Sequence, residues 1–171
     1  MERISTIELA IRNEQTEKAF YLNEARRTSN PVARLLFEEL AHDEDLHMRK
    51  LVALNDKLKS DGVWPADVPL EVDGTNIKQK LKSFLLNEIS KPAHDMSDLE
   101  ALHKAEGFEA NGAVFYKNLA VACSDAREKS FFDFLAGIER EHLMSIKNSI
   151  FYLEDPSGWL AEHERSGLDG A

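Results

Sequence analysis

Four glutamates and two histidines stand out by their spacing: Glu14, Glu44-Asp45-Leu46-His47, Glu109 and Glu139-Arg140-Glu141-His142. On a helix, a histidine three positions after a glutamate lies about 60° around the axis and one turn along, so each Glu-x-x-His pair can reach a common point. Carboxylate oxygens and imidazole nitrogens are the donors that divalent first-row metals take.

Helical arithmetic turns these side chains inward. Glu14 is centred on a stripe of Ile7, Ala10, Ile11, Tyr21 and Ala25, and Glu44 on Phe37, Leu40, Ala41, Met48 and Leu51. Glu109 falls among Leu102, Ala105, Ala113 and Tyr116, and Glu139 among Phe132, Leu135, Ala136, Leu143 and Ile146. Ionised carboxylates in an apolar core each cost several kcal/mol in desolvation, and they repel one another, unless cations neutralise them. No basic residue occupies the centre of these stripes; Lys18 lies about 40° from Glu14 and is expected to snorkel outward. Two divalent ions would cancel the four glutamate charges, with neutral imidazoles completing the ligand set. Hard oxygen donors with one imidazole per metal suit Fe²⁺ or Mn²⁺ rather than zinc.

Four long amphipathic helices are expected to carry these groups. The first starts at a Ser5-Thr6-Ile7-Glu8 capping box and runs to about Arg27, and the second starts at Asn30-Pro31 and runs to about Lys59. The third starts at a Ser97-Asp98-Leu99-Glu100 box and runs to about Cys123; the fourth follows Ser124-Asp125 to about Glu154, where Asp155-Pro156-Ser157-Gly158 is expected to stop it. Between the pairs lies a crossover with Gly62, Pro65, Pro69, Gly74 and Pro92, in which Asn76 to Ile89 reads as a shorter helix. Helices of about 25 residues are about 37 Å long, and a connection of this length can travel from one end of a bundle to the other.

The two hairpins repeat at a constant shift of 95 residues, pairing Glu14 with Glu109, Phe20-Tyr21 with Phe115-Tyr116, Phe37 with Phe132, Glu44 with Glu139 and His47 with His142. The expected fold is all-α: a ferritin-like four-helix bundle of two duplicated hairpins joined by a long crossover containing a short helix, plus a C-terminal extension. As one domain over 1–171, it divides into hairpin one at 5–59, crossover at 60–96, hairpin two at 97–154 and tail at 155–171. A glutamate on each of two helices with Glu-x-x-His on each of the others is the ligand pattern of dimetal carboxylate bundles.

Over nearly the whole chain the sequence resembles the rubrerythrin group of the ferritin-like superfamily. The resemblance is carried by Glu14 seven before Tyr21, the stretch LFEELAHDEDLH ending at His47, Glu109 seven before Tyr116, and Glu139-x-x-His142. It implies that Glu44 and Glu139 bridge two metals, that Glu14 and Glu109 are terminal ligands, and that His47 and His142 each bind one metal. It also implies two iron ions cycling between Fe²⁺ and Fe³⁺, with manganese the alternative, reaction with hydrogen peroxide or O₂, and a homodimer. Full-length relatives carry a rubredoxin domain with paired Cys-x-x-Cys motifs, which a chain with one cysteine, Cys123, does not contain. Electrons are therefore expected from a separate donor protein.

The family uses an additional glutamate on the third helix. Glu106, about 60° around from Glu109, is one candidate; one turn after Glu109 the residue is Gly112, and Glu17, one turn after Glu14, is the other. Tyr21 and Tyr116 are expected to be core aromatics close enough to hydrogen-bond a ligand. His42, His94, His103 and His163 have no repeat partner and are read as surface or cap residues, Cys123 as inert, and Trp159 as packing the tail on the bundle or a neighbouring subunit. The function expected is peroxide reduction or O₂ chemistry at a diiron centre. A ferroxidase-type protein that stores or transfers iron and a non-catalytic helical scaffold are the alternatives.

Composition narrows the field. The 171 residues carry a formal net charge of −10, which repels a phosphate backbone and argues against nucleic acid as partner. No apolar run approaches the ~18 residues of a membrane span, and the acids Glu2 and Glu8 do not fit a secretion signal. One cysteine excludes a disulfide framework, and a cytoplasmic location is expected.

Overall fold

A computed structural model describes residues 3–65, 75–87 and 96–168, the side chains at 3–5, 85–87 and 163–168 excepted. It contains α1 (Arg3–Arg27), α2 (Pro31–Asp61), α3 (Ile77–Asn87), α4 (Met96–Ala122), α5 (Ala126–Glu154) and α6 (Pro156–Leu168), with no strand among the described residues. α1 packs along α2 and α4 along α5, and the hairpins meet through α2 and α5. This is the expected all-α bundle, and no described helix is long and apolar enough to cross a membrane.

The duplicated caps build both hairpin turns in the same way. The Asn30 side chain accepts the N–H groups of Val32 and Ala33 at 2.9 and 3.0 Å, and Asp125 accepts those of Arg127 and Glu128 at 2.8 and 3.3 Å. Each cap satisfies donors that the first turn of a helix leaves open, and Pro31 gives up no hydrogen bond there. Aromatic packing repeats as well: Tyr21 stacks on Phe37 and Tyr116 on Phe132, with centroids 6.2 and 6.3 Å apart.

Several boundaries differ from expectation. α1 starts at Arg3, so Ser5 lies within its first turn rather than capping it. α4 starts at Met96, where Asp98 is buried and Arg27 binds Ser97 Oγ, the Ser97 carbonyl and Asp98. Ser97 therefore lies within α4 rather than capping it, and its side chain is taken up by Arg27 instead. α2 continues past Lys59 to Asp61 and stops at Gly62, whose φ of 69° is the left-handed conformation glycine adopts freely; its N–H closes on Leu58 O at 3.0 Å. α3 spans Ile77–Asn87 and buries Ile77 and Leu81; positions 66–74 and 88–95 of the crossover, with His94, lie outside the described residues.

The C-terminal extension contains a helix, α6. Asp155-Pro156 ends α5 and also starts α6, since Asp155 Oδ1 accepts the Gly158 N–H at 2.9 Å and Pro156 occupies the first helical position. α6 drives Trp159 into the core formed by Tyr21, Phe37, Leu102 and Ile146. A second apolar cluster, with Leu51, Tyr116, Phe132 and Leu135, lies toward the other end.

Candidate metal centre

The helical stripes turn all six polar residues into the bundle. Glu44, Glu109, Glu139 and His142 are 0% exposed, and Glu14 and His47 1%. Their donor atoms form two groups, each within 4.8 Å: Glu14, Glu44, His47 and Glu139 in one, and Glu44, Glu109, Glu139 and His142 in the other. Glu44 and Glu139 belong to both. The histidine rings lie 5.7 Å apart and 19° from parallel. His47 Nδ1 is 3.1 Å from Glu14 and 3.0 Å from Glu44, while His142 Nδ1 is 3.3 Å from Glu109 and 3.4 Å from Glu44.

The tyrosines cross between hairpins. Tyr21 on α1 donates to Glu109 Oε1 on α4 at 2.5 Å, and Tyr116 on α4 donates to Glu14 Oε1 on α1. Burial, together with Glu109 beside Tyr21 and Glu14 beside Tyr116, holds both phenols well above their ordinary pKa, so they remain donors. Each fixes the glutamate of the opposite repeat half, leaving that carboxylate's second oxygen turned to the cluster.

Without a cation the charges can be borne only by taking up protons. Burial and the Glu44 carboxylate push Glu14 up to about 8, and burial with Glu109 and Glu44 pushes Glu139 well above the carboxylate range. Burial would lower His47, but Glu44 and Glu14 raise it to about 10; Glu109 and Asp43 likewise raise His142. Burial would raise Glu44, yet the two imidazolium rings hold it well below the usual range.

The donor set fits divalent metal ions. Among the described residues, Glu44 Oε1, Glu109 Oε2, both Glu139 oxygens and His142 Nδ1 are buried without a hydrogen-bond partner. Buried polar atoms are normally satisfied, and five orphans aimed at one another mark a place where metal coordination is the missing partner. Lys18 turns outward to Asp45 at 2.5 Å and supplies no charge here.

The structure separates the two extra carboxylate candidates. Glu106 is not brought to the cluster: it faces His103 at 3.3 Å and Lys147 at 3.6 Å on the outer face of α4. Glu17 lines a cleft of about 390 Å³ between α1 and α4, with Asn111, Gly112 and Phe115 and the buried Glu14 and Tyr116. Burial and the carboxylates of Glu44, Glu14 and Glu109 push it up to about 9. Gly112, the repeat partner of Glu17, lets α4 come close to the cluster: a Cβ there would lie 3.3 Å from Glu139 Cδ. His42 and His103 are on the surface as expected, and the His163 side chain lies outside the described residues. Motif spacing does not point to Asp43, whose Oδ2 is 3.1 Å from His142 Nε2. The signal in the sequence is its apolar repeat counterpart, Ile138, which places this position toward the interior, and the structure buries both.

The rubrerythrin family model matches residues 6–150, a span that includes all six inward-facing residues and both tyrosines. No curated protein and no solved structure matches the chain. The duplicated hairpins, the two overlapping carboxylate and histidine groups and the match over most of the chain agree, and the chain belongs to the rubrerythrin family.

Proposed function

We propose that the chain is a diiron protein that reduces hydrogen peroxide, with electrons from a separate donor protein. The observation that carries this reading is the sharing of Glu44 and Glu139 between two ligand groups, which is what a pair of metals held at bridging distance requires. Glu14 and His47 would complete one position and Glu109 and His142 the other, with Glu17 as an additional carboxylate at the rim of the cleft. Iron bound there supplies two one-electron donors, matching the two electrons needed to cleave an O–O bond.

The chain's own residues do the rest. Tyr21 and Tyr116 hold the terminal glutamates in place. The apolar clusters on either side exclude water, which strengthens every charge interaction inside. The cleft beside Gly112 gives a small neutral molecule a path from solvent to Glu14, and Glu17 lines that path.

Anaerobic loading with Fe²⁺ followed by mixing with peroxide or O₂ tests the proposal. Two irons per chain, oxidised much faster by peroxide, is the expected result. Oxidation mainly by O₂ with continued iron uptake would replace peroxide reduction with iron storage or transfer, and a stably folded bundle that takes up no metal would leave the scaffold reading.

Gly112 offers a sharper prediction. In Gly112→Ala the new methyl meets the Glu139 side chain, which must give by a few tenths of an ångström. A 1 Å misplacement costs up to about 100-fold in rate, so a smaller one is expected to slow oxidation of the loaded centre on the order of tenfold. Gly107→Ala meets nothing within 4 Å and should leave the rate unchanged while stabilising the helix by about 0.5–1 kcal/mol. Equal rates in stopped-flow measurements on the two variants would contradict the role given to Gly112.

A further inference from the structure

The two halves of the site are not equivalent, and the difference lies behind the histidines. His142 Nε2 is 3.1 Å from Asp43 Oδ2, and its other nitrogen, Nδ1, is the one turned to Glu44 and Glu109. Asp43 is itself held from the crossover, because it takes a hydrogen bond from Thr75, whose Oγ1 accepts the Ile77 N–H at 3.2 Å where α3 begins. Among the described residues, the other half lacks this arrangement. The position 95 residues after Asp43 is Ile138, which offers no acceptor, and among the described residues the carboxylate partners of His47 are Glu14 and Glu44, both at Nδ1.

We propose that Asp43 is a positioning residue for His142 alone, so that the two metal positions differ in affinity. The inference rests on reading the cluster as a dimetal centre. An imidazole that donates one N–H to a carboxylate is locked in tautomer and ring orientation and becomes a more basic ligand through its other nitrogen. Asp43 accepts from Nε2, which makes Nδ1 the metal-facing nitrogen and the His142 position the tighter of the two. Thr75 keeps the Asp43 carboxylate in place, so the residues that lead into α3 buttress one metal position and not the other.

The test is anaerobic titration of the chelator-stripped protein with Co²⁺, followed by its visible absorption, together with ¹⁵N-histidine spectra of the Zn²⁺-loaded protein. Wild type should fill in two steps of unequal affinity, and one histidine should show a hydrogen-bonded Nε2–H. In Asp43→Leu the tighter step should weaken about 10–100-fold, the looser step should stay in place, and that Nε2–H signal should shift. Asp43→Asn, which keeps an acceptor oxygen, should recover part of the loss, and Thr75→Val should weaken the same step by less.

A wild type with two ions whose titration is unchanged in Asp43→Leu would overturn the positioning role while leaving the dimetal site standing. Equal weakening of both steps, with a lower unfolding temperature of the metal-free protein, would reduce Asp43 to a structural residue and overturn the inference. A wild type that binds no Co²⁺ would overturn both this inference and the reading beneath it.

Discussion

Glu139→Ala is expected to lose at least one of the two metals and most of the stabilisation that metal gives. Glu139 is shared by both ligand groups, is fully buried, and has neither oxygen hydrogen-bonded. A ligand that binds only the folded state stabilises it by about 4 kcal/mol at a thousandfold excess over Kd. For a chain of this size that corresponds to a rise of about 10 °C in unfolding temperature, at ~2–4 °C per kcal/mol. Wild type should show that rise on adding Fe²⁺ anaerobically and lose it with a chelator. Glu139→Ala should show little of it, and Glu139→Gln, which keeps the side-chain volume, should behave alike. His103→Ala removes an exposed side chain from the outer face of α4 and should retain the full rise and wild-type metal content. Two metals per chain in Glu139→Ala would contradict the assignment.

Trp159→Ala should be the most damaging change away from the site. The indole is 0% exposed, its Nε1–H donates to Asn148 Oδ1 at 2.8 Å, and its ring meets Tyr152 edge-on at 5.4 Å. Removing a buried tryptophan costs about 3–5 kcal/mol, through lost transfer energy and the cavity left behind. Denaturant unfolding should show the loss in full in the metal-free protein, with the stoichiometry of metal binding unchanged where the variant is folded. A loss below about 1 kcal/mol would mean that α6 is a dispensable appendage.

The carboxylate and histidine cluster was legible because duplication wrote it twice. Glu14 and Glu109, or His47 and His142, sit on apolar stripes at matching positions, and a 3.6-residue period converts that spacing directly into direction. The same arithmetic gave Glu106 and Glu17 equal standing, since both lie one turn from a ligand. Their neighbours decide between them: His103 one turn back on α4 and Lys147 from α5 take Glu106 on the outer face, while Glu17 borders the space that its repeat counterpart Gly112 leaves open. Ser97 and Asp98 carry a cap's residue types without capping α4, because their side chains accept from Arg27 at the end of α1, a contact that no local pattern reports. Asp155-Pro156 signals a stop in the sequence, although the same two residues start a helix when an apolar residue such as Trp159 has a core to enter. Asp43 lies beside Glu44 in sequence, but its partner His142 comes from the other hairpin, and no periodicity within one helix reports that contact.

The most direct test of the central claim is the number of iron ions bound per chain after anaerobic Fe²⁺ loading and desalting, compared between wild type, Glu139→Ala and His103→Ala. The account predicts two, at most one, and two. Two in all three, or none in a folded wild type, would contradict it.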